Sequence, residues 1–150
     1  MAPVDRKSPA SRAEWLWALA LLALLAFALR GWTFGNPVLH VDDEFYLLGG
    51  QRLLAGRLPY VDFWDRKPAG LFLLYALPNL LPDPVIAYQV LATLSAVATG
   101  ALIFAMARPL AGWAPAVAGG AAYLAWLPLF GGIGGQTPVF YNLPMAWAAL

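Results

Sequence analysis

The chain has 150 residues, 61% hydrophobic and only 11% charged, with a net charge of +1 and no cysteine. A soluble domain carries about 25% charged residues, so the composition points to a chain made for lipid. The missing cysteines exclude a disulfide framework and a thiolate metal site. A near-neutral chain with no basic patch interleaved with aromatics excludes a nucleic-acid partner.

In chain order, residues 1–13 are polar, with Asp5, Arg6, Lys7 and Arg12, and read as a cytoplasmic tail under the positive-inside rule. Residues 15–29 are uninterruptedly apolar and predict a first span over 14–34. The run is long and Trp-rich for a signal peptide, and no small-residue cleavage site follows it. Residues 35–83 hold most of the charged residues and the single histidine, His40, and predict a folded extracytoplasmic loop. Asp43 can cap a helix near 44–55, with Tyr46, Leu47, Gly50, Leu53 and Leu54 on one face and Glu44, Gln51 and Arg52 on the other. Gly56 marks its end.

A second helix is expected near 68–81. At about 1.5 Å per residue it reaches about 21 Å, short of a hydrocarbon core of about 30 Å, so both loop helices are read as interfacial. Spans follow over 84–107 and 113–131, with a cytoplasmic loop at 108–112 containing Arg108, an outer loop at 132–138, and the start of a fourth span at 139–150. The chain ends within the apolar run NLPMAWAAL and is read as the N-terminal part of a longer polytopic protein. The expected fold is an all-α, multi-pass integral membrane protein whose outer loop carries interfacial helices.

Chemistry is sought where ionisable groups crowd the membrane surface. Asp42-Asp43-Glu44 follows the first span, and Asp65-Arg66-Lys67-Pro68 enters the short second helix. Carboxylates can act as bases or hold a divalent cation, and a cation can hold a phosphate. Together they suit a lipid-phosphate donor and a hydroxyl acceptor. The residues alone leave open a plain helix cap with scattered interfacial anchors.

The segment HVDDEFYLLGGQRLLAGRLPYVDFWDRKPAGLFLLYAL carries an ordered set: Asp43-Glu44, Tyr46, Gly56, Pro59-Tyr60, Asp62-Phe63 and Lys67-Pro68-Ala69-Gly70. This resembles the first extracytoplasmic loop of bacterial family 39-type, or GT-C, glycosyltransferases. That family includes protein O-mannosyltransferases and the aminoarabinose transferase acting on lipid A. The resemblance implies a hexosyl- or pentosyltransferase that takes its sugar from a polyprenyl phosphate on the outer face of the bacterial plasma membrane. The acceptor would be a hydroxyl of a lipid, glycan or protein. It implies Asp43, with Glu44, as the catalytic carboxylates, Lys67 and Arg66 at the donor phosphate, and Tyr46, Tyr60 and Asp62 at the substrate. A divalent cation, if used, would fall to Asp42 and Asp43.

One departure stands out. Relatives carry an acid in a pattern like Asn-Thr-Glu-x-Phe after the third span, where this chain has Gln136-Thr137-Pro138-Val139-Phe140. His40 is read as an interfacial polar residue, Arg57 as a headgroup contact, Trp64 as a possible stacking surface for a sugar, and Gly119-Gly120 as helix packing. The alternatives are a transporter or scaffold, for which only Gln89, Thr93, Ser95 and Thr99 offer polarity within a span, or a fragment inactive alone.

Overall fold

A computed structural model describes Ser8 and residues 10–150. Most of the expected tail at 1–13 lies outside the described residues. The remainder is helical: α1 (Arg12–Arg30), α2 (Val41–Leu54), α3 (Ala69–Ala76), α4 (Pro84–Ala111), α5 (Trp113–Trp126) and α6 (Thr137–Ala148). Single 3-10 turns extend α1, α3 and α5. Among the described residues there is no strand, only one isolated bridge between Pro59 and Phe63. Three helical stretches are long and apolar enough to cross a membrane: Arg12–Thr33, Pro84–Ala111 and Trp113–Phe130.

Each helix starts and stops for local reasons. Ser11 and Glu14 form a capping box at α1, the Ser11 hydroxyl accepting from the Glu14 N–H and the Glu14 carboxylate from the Ser11 N–H at 2.8 Å. Asp83 caps α4 by accepting from the Ile86 N–H at 3.0 Å, and Pro84 follows at the first turn. Helix α4 runs four residues past its expected end, through Arg108 and Pro109, to Gly112 at φ 94°. The expected loop at 108–112 is therefore the single reversal at Gly112, a backbone that only glycine adopts freely. Helix α3 stops at Ala76 because Pro78 cannot continue it, and one 3-10 turn replaces the rest of the expected 68–81 helix.

Helix α2 begins at Val41, three residues before its expected start. The cap is His40, whose Nδ1 accepts from the Asp42 N–H at 3.4 Å. Asp43 therefore sits inside the first turn, and its carboxylate is free to point elsewhere.

Helix α4 is the central element, packed against α1, α5 and α6. Its contact with α5 is close: a Cβ on Gly120 would stand 2.7 Å from the Gly100 carbonyl oxygen. Small residues that let helix backbones touch are the usual means of association in lipid, which accounts for the expected packing role of Gly119-Gly120. Helix α1 buries a single stripe, Ala18, Leu22, Ala26 and Arg30, at four-residue spacing.

Two polar ties fix the ends of the α1–α4 pair. Glu14 meets Arg108 at 2.7 Å, and the Arg30 guanidinium reaches the Thr93 hydroxyl at 3.2 Å. The helices are thus antiparallel. The first nine residues of α4 project beyond the level of Arg30. Around that projection wrap α2, α3 and the loop at 131–136, through an aromatic cluster in which Tyr75 lies 5.6 Å from Tyr46, 5.5 Å from Tyr88 and 5.9 Å from Phe140. Glycines at 49 and 50 let α2 lie directly on α3, since a Cβ on Gly50 would stand 2.5 Å from the Tyr75 backbone.

Candidate functional site

The polar centre of this end is Asp43. Its helical position turns it inward, and it is fully buried. One carboxylate oxygen accepts from the Gly135 N–H at 3.0 Å and the other from the Gln136 side-chain amide at 2.7 Å. The loop fits around it only because it is glycine: Gly134 has φ +63°, and a Cβ there would collide with Asp43 Oδ2. The Tyr75 hydroxyl donates to the Gly135 carbonyl at 2.6 Å. On the far side of the loop the Arg30 guanidinium donates to the Gly132 and Gly134 carbonyls. Gln89 braces the neighbouring turn, accepting from the Gly35 N–H at 2.8 Å and donating to the Asn36 carbonyl at 2.9 Å.

Burial pushes the Asp43 carboxyl above the ordinary carboxylate range, against the opposing pull of the Gly135 N–H and the Gln136 amide. The Tyr46 and Tyr75 hydroxyls beneath it are also pushed up, in each case first by burial. The site holds a carboxylate whose proton affinity is raised, set in place by two fixed donors.

The other expected site residues lie around it unevenly. Asp42 is half-buried, and the Tyr46 hydroxyl lies 3.4 Å from its carboxylate. Glu44 is exposed on the outer face of α2. Tyr46 is buried in the aromatic cluster, which removes it from substrate contact in this structure. The Asp62 carboxylate accepts from the Leu58 N–H at 2.7 Å and lies 3.7 Å from Arg57, so it shapes its own turn. The same pair gives Arg57 a protein partner where a lipid headgroup was expected.

Tyr60 takes a left-handed backbone at φ 68°, and its hydroxyl donates to the Lys67 carbonyl at 2.5 Å. The Asp65 carboxylate accepts from the Lys67 N–H at 2.8 Å. Both backbone groups of Lys67 are thereby pinned while its ammonium enters no ion pair among the described residues. Arg66 and Trp64 are exposed beside it. No hydrogen bond or ion pair joins Arg66 or Lys67 to Asp43 or Glu44 among the described residues.

The residues do not fit a metal centre. Among the described residues no group of three or more His, Asp or Glu could hold an ion. Both Asp43 oxygens face N–H donors, which repel a cation.

Sequence reasoning missed Arg30, the loop at 132–135, Tyr75 and the pairing of Gln136 with Asp43. An arginine closing an apolar run was a usable signal, because an ionisable group near bilayer depth defaults to a functional candidate. Gln89, Thr93, Ser95 and Thr99, the polar residues of α4, spend their hydrogen bonds on Asn36, on Arg30, on the Val139 carbonyl and on their own helix. Compared with known proteins, the chain matches no family model, no curated protein and no solved structure.

Proposed function

We propose that the chain is the N-terminal part of a membrane glycosyltransferase that moves a sugar from a polyprenyl phosphate to an acceptor hydroxyl at the outer face of a bacterial plasma membrane. The three apolar stretches are its first spans, with Glu14 and Arg108 at the cytoplasmic end and Asp43, Lys67 and Gln136 at the outer end. The positive-inside rule supports this sidedness, since Arg12 and Arg108 share the inner end. The observation that carries the reading is Asp43: a carboxylate of raised proton affinity, fixed at the outer end, within the motif that resembles the transferase loop.

In the reaction, the acceptor oxygen attacks the anomeric carbon of the sugar. The bond from that carbon to the phosphate oxygen breaks, and polyprenyl phosphate leaves with the electron pair. Asp43 takes the acceptor proton, as a general base whose pKa is moved toward the working pH. Glu44 stands beside it at the surface. The Lys67 ammonium, unspent on any carboxylate among the described residues, offsets charge on the departing phosphate, with Arg66 next to it. Tyr60 and Asp65 hold Lys67 in register by its backbone. The glycine loop covers Asp43 in this structure, so acceptor entry requires residues 132–136 to swing away.

One observation favours a second reading: full burial and two hydrogen bonds would also suit an Asp43 that only staples the fold. The transporter or scaffold alternative is less well served, because the polar groups of α4 are engaged in helix contacts. The test of the donor class is turnover by the full-length protein with a polyprenyl-phosphate sugar. Lys67→Ala should lower turnover by about 10- to 150-fold, the loss of one charge-assisted hydrogen bond. Arg57→Ala, outside the motif, should change it little. Equal, small effects of both substitutions would refute the donor assignment.

A further inference from the structure

A second polar feature lies on the far side of the glycine loop and plays no part in that reaction. Between the outer ends of α1 and α5 is a pocket of about 220 Å³, lined by Arg30, Trp32, Ala125, Pro128, Leu129 and Ile133 among others, with no acidic residue in its wall. Arg30 is 5% exposed. A guanidinium has five N–H donors. Among the described residues three hydrogen bonds are made, all to neutral acceptors: the Thr93 hydroxyl and the Gly132 and Gly134 carbonyls. None of the ion pairs among the described residues involves Arg30.

A buried cation with no direct counter-charge is costly, and here the space beside it is open. The chemistry of the pocket constrains what fills it. One end calls for negative charge with acceptor oxygens, and the remaining wall is apolar. The pocket also lies where two candidate spans end, with Trp32 and Leu129 mostly exposed at its rim. That is the level of lipid headgroups, where tryptophan is enriched. A free anion would satisfy the arginine but leave the apolar wall bare.

We propose that this pocket binds the phosphate of an anionic lipid, with Arg30 as its cationic contact and the lipid chain lying along α1 and α5. The inference rests on the reading of the apolar helices as spans. It uses neither the carboxylates nor the phosphate-binding residues assigned to sugar transfer and shares with them only the loop at 132–136, so it can fail while the transferase reading stands, and the reverse.

The test uses the full-length protein in nanodiscs of zwitterionic lipid. Phosphatidylglycerol, diacylglycerol or inorganic phosphate is added, and bound molecules are counted by native mass spectrometry. One phosphatidylglycerol should be retained per chain, diacylglycerol should not, and inorganic phosphate should not displace the lipid. Ala125→Phe fills the pocket from an exposed position without touching the hydrogen bonds of Arg30. This variant and Arg30→Gln should each weaken phosphatidylglycerol binding by about tenfold or more. If Arg30→Gln does not fold, Ala125→Phe decides alone. Unchanged affinity in Ala125→Phe would overturn the proposal. So would equal retention of diacylglycerol, and so would displacement by inorganic phosphate, which would mark a free-anion site.

Discussion

At the Glu14 end of the bundle, Arg108 meets its carboxylate directly at 2.7 Å, and the Trp113 indole adds a hydrogen bond to the Glu14 carbonyl at 3.0 Å. At the other end, Arg30 and Asp43 are both buried but do not touch. The glycine-rich loop from 132 to 135 runs between them, its Gly132 and Gly134 carbonyls toward Arg30 and its Gly135 N–H toward Asp43. The difference is chemical. A carboxylate in direct contact with an arginine is held ionised and is a poor base. A carboxylate separated from the cation by a layer of backbone is governed by its burial, and its proton affinity rises. One end joins charges to hold helices together; the other keeps them apart with a layer of backbone between them.

Substitutions can break this contrast, and the largest effect is expected at Arg30. Arg30→Ala leaves the Gly132 and Gly134 carbonyls and the Thr93 hydroxyl without their donor. Orphaned buried acceptors cost about 1–3 kcal/mol each, so unfolding in detergent should show a loss of about 3 kcal/mol or more. A loss under about 1 kcal/mol would mean that the loop does not depend on Arg30.

Next is Gln136→Leu, which removes one of the two donors to Asp43 and should cost about 1–3 kcal/mol. Its pH dependence carries a sign. Asp43 already has a folded-state pKa above its ordinary value of 3.8, so its contribution to stability is greatest below that value and falls as pH rises through the folded value. Losing the Gln136 amide raises the folded value further. The deficit of the variant should therefore be smallest near pH 3 and grow toward neutrality. A deficit independent of pH would show that Gln136 acts by packing alone.

The smallest effect is expected at the other end. Arg108→Ala should lower the melting temperature less than Arg30→Ala does, because the Glu14 side chain is 30% exposed and water can replace the lost partner. The deficit should shrink further in high salt, which screens the wild-type pair. A salt-independent loss as large as that of Arg30→Ala would erase the distinction between the two ends.

Much of the helical architecture was legible in the sequence because long apolar stretches and helical periodicity can be counted directly. The three apolar stretches, the shortness of the helix before Pro78 and the two faces of α2 follow from counting and periodicity. The interior of the outer end was not legible. Arg30 closes an apolar run, and an arginine that snorkels to the interface looks the same in sequence as one turned inward. His40, Asp42 and Asp43 can each cap a helix, so only the three-dimensional start of α2 decides that Asp43 points into the protein. The run from Gln136 to Phe140 was noted for carrying Pro138 where relatives have an acid, but the role of Gln136 as a donor to Asp43 emerges only when residues 93 positions apart meet.

The direct test of Asp43 as a base is the rate of sugar transfer by full-length protein carrying Asp43→Asn, Asp42→Asn or Glu44→Gln, normalised to folded molecules. Asp43→Asn keeps the side-chain shape while removing basicity, and should lower the rate by about 10²- to 10⁴-fold. The neighbouring substitutions should leave most of it. A folded Asp43→Asn variant that turns over at the wild-type rate would contradict the account and leave Asp43 as a staple of the glycine loop.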